Sequence, residues 1–217
     1  MLKKLDENKI SEILEAGIAE FALCGPDRAS MSRIAHKSGV SVGVLYKYYD
    51  NKDAFFLACL RHALISLKSA IDSALSGELP VLERARLLIS AVQKSAKEQP
   101  NYHILYHEIT AGACRRYAGQ LAFEIEGISA SVYAAMLKSA QEKGEIRSDL
   151  DPRLMAFFFD NLLMMLQFSY SAEYYRKRFG IYCGADAMGD DARVLDALTK
   201  FLSAAFGADS TVKGGKA

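Results

Sequence analysis

From one end of this chain to the other, apolar residues recur every three to four positions and almost nowhere alternate with polar ones. That pattern confines the chain to helices. Ile10, Ile13, Leu14, Ile18 and Phe21 form one such stripe, enough to bury one face of a first helix. Gly25-Pro26 ends it, because proline has no N–H to donate and cannot continue the ladder. Short helices are predicted from Met31 to about Ser38 and from Val42 to about Tyr48, then a longer one over about 52–75. Pro80, Pro100 and Pro152 each stand near the start of a further pattern, where a missing N–H is harmless. Asp151 supplies an N-cap in front of Pro152. Five more helices are expected at about 80–98, 101–117, 119–143, 152–178 and 190–206, with Gly180–Gly189 as a loop before the last. The fold class is all-α, with three short helices ahead of a larger helical bundle.

Bulk properties narrow the class further. The 217 residues suffice for one or two compact domains. The net charge of +1 does not advertise a polyanionic partner for the molecule as a whole. Cys24, Cys59, Cys114 and Cys183 lie far apart, without the CxxC or Cys/His spacing of a zinc site, and read as buried thiols of a reducing compartment. Met1–Glu20 is amphipathic and charged, unlike a signal peptide. The most apolar run, Met155–Tyr170, is interrupted by Asp160, Asn161 and Gln167 and falls short of a membrane span. A cytoplasmic protein with no membrane partner is expected.

The segment Ser30–Lys52, SMSRIAHKSGVSVGVLYKYYDNK, carries the functional signal. Ser30 is an N-cap, and Met31, Ile34 and Ala35 put apolar groups on one side of a two-turn helix. Gly39 supplies a left-handed stop, Val40 plugs the angle between two helices, and Ser41 caps the next one, whose Leu45 packs back on Ile34. Two short helices at a steep angle make a helix-turn-helix, the second free to enter a major groove. Between Arg28 and Lys52 there are five cations (Arg28, Arg33, Lys37, Lys47, Lys52) against Asp50, a local net of +4. Residues 1–60 balance at 8 against 8 because the first helix carries the acids. A positive face on a neutral domain is what phosphate contact requires. The second helix opens Ser41-Val42-Gly43, with little side chain in the way of a DNA backbone, and Tyr46, Lys47 and Tyr48 can all donate to phosphate oxygens. The candidate DNA-binding residues are therefore Ser30, Arg33, Ser41, Val42, Gly43, Tyr46, Lys47, Tyr48 and Lys52.

This segment resembles the DNA-binding signature of the TetR family: a Thr or Ser N-cap, then IA, then AGVS-x-G-T-L-Y-x-Y-F and a lysine soon after. Ser30, Ile34-Ala35, Gly39-Val40-Ser41, Gly43, Leu45-Tyr46, Tyr48 and Lys52 stand at those positions. The match runs over about residues 8–60. Val42, Val44 and Tyr49 depart from it, and two valines on a recognition helix favour contact with thymine methyls over hydrogen bonds to base edges. The resemblance implies a three-helix DNA-binding domain at 1–52 and a helical ligand-binding and dimerisation domain at 53–207. It also implies a double-stranded operator as partner, a homodimer, and repression relieved by a small apolar or amphipathic ligand. A disordered tail is expected at 208–217.

Candidate pocket residues are Tyr102, His103, Tyr106 and His107 on one predicted helix and Phe123 and Tyr133 on the next. Phe157, Asn161, Met164, Met165 and Phe168, with Phe158 and Tyr174 near them, lie on or close to the apolar one. The same residues also suit core packing or a dimer interface. His103 and His107 are four apart with Glu108 adjacent, but they lack the HExxH order and a third ligand, so neither metal nor cofactor is expected. The helix starting at 152 is apolar nearly all round and needs cover on every side. Buried Asp160 and Asn161 need partners, whether a ligand or a neighbouring helix. Leu195, Leu198, Phe201, Leu202 and Ala205 give the last helix its own stripe, so the last two long helices of two subunits would make a four-helix interface. An all-α enzyme or small-molecule carrier is the competing reading, but no catalytic constellation supports an enzyme.

Overall fold

The computed structural model describes residues 5–110 and 118–207. Cys114, the end of the helix expected at 101–117 and the tail at 208–217 lie outside them. Among the described residues there are ten α-helices: α1 Glu7–Arg28, α2 Met31–Lys37, α3 Val42–Tyr48, α4 Lys52–Ala74, α5 Val81–Glu98, α6 Pro100–Thr110, α7 Ala118–Glu142, α8 Pro152–Ser171, α9 Glu173–Cys183 and α10 Asp191–Phe206. A single 3-10 turn, Ala187–Gly189, precedes α10. The chain is all-α, as its periodicity predicts. It divides into two compact units: Met1–Lys68 with Gln99–Leu121, and Ser69–Glu98 with Ala122–Ala217.

In the first unit the α1 stripe is buried: Ile13, Leu14, Ile18 and Phe21 are among the least exposed residues of the chain. Phe21 meets Phe56 of α4 edge to face at 5.0 Å and Phe55 at 6.0 Å. Gly17 lets α1 come this close, since a Cβ there would stand 2.6 Å from the Phe55 ring and from Cys59 Sγ. α1 carries a kink at Gly25 (φ 73°), followed by one more turn through Pro26. Over Lys52–Ser73, α4 is long and apolar enough to cross a membrane. In this unit, however, its Phe55, Phe56, Cys59 and Leu60 are at most 2% exposed. α6 packs on α1, where the Tyr102 hydroxyl bonds to the Glu15 carboxylate, which also accepts from His62 at 3.1 Å.

The second unit is built on α8, which packs against α5 and α9, while α10 packs against α5. A polar node joins them: Gln93 of α5 donates to the Tyr170 hydroxyl (3.1 Å) and to the Asp191 carbonyl (3.0 Å), and Lys97 pairs with the Asp191 carboxylate at 2.6 Å. Glu145 accepts the Val81 N–H at 2.7 Å and so caps α5.

Three sequence expectations need correction here. The helix expected over 152–178 breaks at Ala172, which is extended (ψ 133°) and separates α8 from α9. Ser169 and Ser171 bond back to the carbonyls four residues earlier, and Arg176 takes the Tyr170 carbonyl at 2.7 Å, so the helix end is satisfied without continuing. The loop expected over Gly180–Gly189 is partly helical, because α9 runs on to Cys183 and a 3-10 turn spans Ala187–Gly189, while within one chain Leu154, Phe157 and Phe158 of α8 are 56–61% exposed. Finally, Cys59 is buried but Cys24 is only half-buried and Cys183 is exposed.

Candidate nucleic-acid interface

The turn between α2 and α3 is built from local chemistry. Ser30 accepts the Arg33 N–H at 3.3 Å and starts α2. Gly39 takes φ 65°, and the next N–H, of Val40, returns to the Ala35 carbonyl at 2.9 Å. Ile34 and Leu45, both at most 1% exposed, hold the two helices together at their inner sides. α3 begins after Ser41, whose side chain makes no capping bond. Asn51 closes the segment by accepting the Ala54 N–H at 2.8 Å, starting α4.

The outer side of α3 presents Val42 (38% exposed), Tyr46 (48% exposed), Gly43 and Lys47 to solvent, with Ser41 beside them. Nothing but Ser41 Oγ, at 3.9 Å, would meet a Cβ on Gly43, so the glycine leaves open space in front of the helix rather than relieving a clash behind it. These five residues form one contiguous exposed patch.

The other four candidates are engaged within the protein. Ser30 is the α2 cap. The Tyr48 hydroxyl accepts the Leu5 N–H at 2.7 Å. Lys52 donates to the Asp27 carbonyl at 2.6 Å and so ties the start of α4 to the end of α1. Arg33 binds Glu20, Nε to Oε1 at 2.7 Å. Lys37 reaches the other Glu20 oxygen, Oε2, at 3.4 Å, and the Ser30 N–H donates to Oε1 at 3.2 Å. The Arg33 guanidinium beside it, with those further donors, holds the Glu20 carboxyl down at about 2 although burial pushes the other way.

Two of the five cations in the basic segment therefore share one buried acid, and two more serve backbone carbonyls, Lys52 at Asp27 and the exposed Arg28, through Nε, at Cys24 (3.2 Å). Arg28 and Lys47 remain turned to solvent. Glu20 is the residue that sequence reasoning passes over, because a glutamate on an amphipathic helix reads as solvated. Ser32 and His36 are exposed one turn apart on α2, where nothing in the local sequence pattern marks them.

The pocket candidates are divided between the two units. Tyr102, His103, Tyr106 and His107 belong to α6 in the first unit. In the second unit, Phe123 (86%) and Phe157 (61%) are exposed, as are Phe158 and Tyr174. Asn161 donates to the Phe157 carbonyl at 2.7 Å, and Met164 is half-buried. Phe168 is buried against the Tyr175 ring at 5.4 Å, and Tyr133 against Phe159 at 5.3 Å. Met165 alone of the candidates lines an open groove of about 540 Å³ between α8, α9 and α10, whose other walls include Leu166, Phe179, Val194 and Leu198. Among the described residues no group of three or more His, Cys, Asp or Glu is placed to hold a metal.

Residues 13–59 match the family model of bacterial regulatory proteins, tetR family. The HTH-type transcriptional regulator BetI of Brucella anthropi is 31% identical over 87 residues, 40% of this chain and 44% of that protein. The chain thus matches less than half the length of this curated relative. Solved structures share the fold over nearly the whole chain. The fatty acid degradation regulator FadR from Bacillus halodurans superposes with a TM-score of 0.66 at 21% identity, covering 91% of this chain and 97% of that one. FadR from Bacillus subtilis, in complex with stearoyl-CoA, gives 0.70 at 19% identity, covering 88% and 97%.

Proposed function

We propose that this chain, which carries the DNA-binding domain of the tetR family of bacterial regulatory proteins at residues 13–59, is a transcriptional repressor. It binds duplex DNA as a homodimer and leaves it when an amphipathic small molecule binds its C-terminal helices. The observation that carries the reading is the exposed patch of Ser41, Val42, Gly43, Tyr46 and Lys47 on α3, whose Leu45 is buried against α2. A helix with small residues at its start can approach base edges, with Lys47 and Tyr46 on flanking phosphates. Arg33, Lys37 and Lys52 act one step back: they hold α2 and α4 against α1 and so aim α3.

Dimerisation gives the exposed apolar side of the second unit an occupant. Leu154, Phe157 and Phe158 of α8 and Phe201 of α10 are each more than half exposed, and a second copy covers them. Two recognition helices then meet successive major grooves about 34–36 Å apart. The stearoyl-CoA bound by the Bacillus subtilis neighbour supports an amphipathic effector for this architecture. Such an effector must itself be held less tightly by the DNA complex, by the same factor with which it weakens DNA binding. The protein acts in the cytoplasm and performs no catalysis.

A gel-shift titration with DNA from upstream of its own gene tests the reading. Retardation by the wild type, weakened in Lys47→Ala, is expected. Absence of retardation at low salt overturns it.

A further inference from the structure

In the second unit, α8, α9 and α10 border an open groove of about 540 Å³, a volume ordinary for a small-molecule site. Leu162, Met165 and Leu166 of α8, Phe179 of α9, and Val194 and Leu198 of α10 make its walls apolar. The charged residues of its lining are Arg178 and Arg193, with no aspartate or glutamate among the described residues that line it. Apolar walls beside two cations are the two halves of a site for an amphipathic anion.

The two arginines are held in different ways. Arg193 gives Nη1 to Asp186 at 2.8 Å, and its Nε and Nη2 make no hydrogen bond with the described residues. The Arg178 guanidinium stands over the Tyr182 ring, 4.9 Å from its centroid, and has neither a hydrogen bond nor an ion pair among the described residues. A ring face offers no acceptor lone pair, so the five N–H donors of Arg178 stay available. The contact also holds in place the fork with which arginine grips a carboxylate bidentately. Against two guanidiniums stands one carboxylate, that of Asp186, so the groove keeps one positive charge for its occupant.

We propose that this groove is the effector site and that its effector is a single-chain carboxylate. The head binds Arg178 and Arg193, and the tail lies along the apolar walls. One net positive charge matches one carboxylate and leaves a polyphosphate head undercompensated. A cationic amphiphile meets two guanidiniums and is rejected. The place of the groove links occupancy to assembly. Leu162 stands one turn from Phe158 on α8, and Leu198 one turn from Phe201 on α10. A tail in the groove therefore adjoins the exposed apolar residues that a second copy covers in the dimer. The inference rests on the reading of the C-terminal helices as the effector domain and names the effector's class and place.

The test is calorimetric titration of the full-length protein with n-decanoate, decyltrimethylammonium and butyrate. Maleimide labelling of Cys183, an exposed thiol in the groove lining, reports where they bind. Decanoate binds and slows that labelling. Butyrate, a head without the tail, and the cationic amphiphile bind at least about tenfold more weakly. Arg178→Gln, at an exposed position where the fold survives, weakens decanoate about tenfold, as loss of hydrogen bonds to a charged group does. Arg178→Glu turns the preference toward the cation. Decanoate also releases DNA from upstream of the chain's own gene in a gel shift, and Arg178→Gln needs about ten times more of it. Equal affinity for the cationic amphiphile, unchanged decanoate affinity in both variants, or decanoate bound without release of DNA overturns the proposal. So does a Cys183 already shielded in the dimer before decanoate is added, because the second copy then fills the groove. If decanoate fails to bind while DNA is still retarded, this site falls and the DNA-binding reading stands. Decanoate bound by a protein that never retards DNA gives the reverse.

Discussion

Arg33 is bound to Glu20 through its guanidinium, Nε to Oε1 at 2.7 Å, across the junction of α1 and α2. The acid is 1% exposed while the arginine side chain is 55% exposed, so one partner is committed to the core and the other spans from core to surface. The pair converts an apparent DNA contact into a brace for the recognition helix.

This pair makes stability depend on acid. The folded-state carboxyl of Glu20 sits at about 2, below its ordinary 4.5, so its stabilisation is complete above about pH 5. It is lost progressively as pH falls from there toward 2. Glu20→Gln should remove that part of the acid sensitivity and cost about 2 kcal/mol at pH 7, read by urea denaturation. A wild-type and variant stability gap that stays constant from pH 7 to pH 3 contradicts the assignment.

Arg33→Ala and Lys47→Ala should separate bracing from contact. The first lowers both the melting temperature and DNA affinity, because α2 loses its anchor. The second leaves stability within about 0.5 kcal/mol, as surface substitutions do. It weakens binding about equally across DNA sequences, as a phosphate contact does. Melting curves paired with anisotropy titrations check both. Equal melting temperatures for wild type and Arg33→Ala would count against the brace.

Two glycines in the first unit should respond in opposite ways. Gly17→Ala forces a methyl to within 2.6 Å of Phe55 and Cys59, an overpacking that destabilises by about 1–3 kcal/mol. Gly43→Leu meets open space, so the fold survives and gains helix propensity of up to about 1 kcal/mol. DNA binding is nevertheless lost, because the side chain stands where the backbone of DNA must approach. A Gly43→Leu protein that binds DNA like the wild type places the contact elsewhere.

Much of this was legible along the chain, and what escaped did so for one reason. The turn at Gly39, the Ser30 cap and the Asp151-Pro152 start depend on neighbours within a few positions, so residue type announces them. The roles of Glu20, Lys52 and Tyr48 depend on partners 13 to 43 residues away, Arg33, Asp27 and Leu5 among them. No periodicity encodes those meetings. The break at Ala172 was hidden because nothing there is proline or glycine; serines and Arg176 satisfy the helix end instead. The aromatic residues of the second unit escaped for the converse reason. An aromatic at helical spacing looks the same whether it is buried like Phe168, at 1% exposure, or exposed like Phe123, at 86%.

The exposed side of α8 predicts an oligomeric state. A Phe157→Ser, Phe158→Ser double variant should keep its helical circular dichroism but sediment as a monomer, with DNA affinity falling by more than tenfold. Sedimentation velocity decides. A wild type that is already monomeric, or a variant that remains dimeric, moves the interface away from α8.

The most direct measurement is the salt dependence of binding to DNA from upstream of the chain's own gene. Arg28 and Lys47 are exposed and enter no ion pair with the described residues, so a dimer engages about four phosphates through them. Raising salt fourfold should then weaken binding on the order of a hundredfold. Lys47→Ala should lower the slope by about two for the dimer. Binding that ignores salt, or a slope unchanged in Lys47→Ala, would contradict the placement of α3 against DNA.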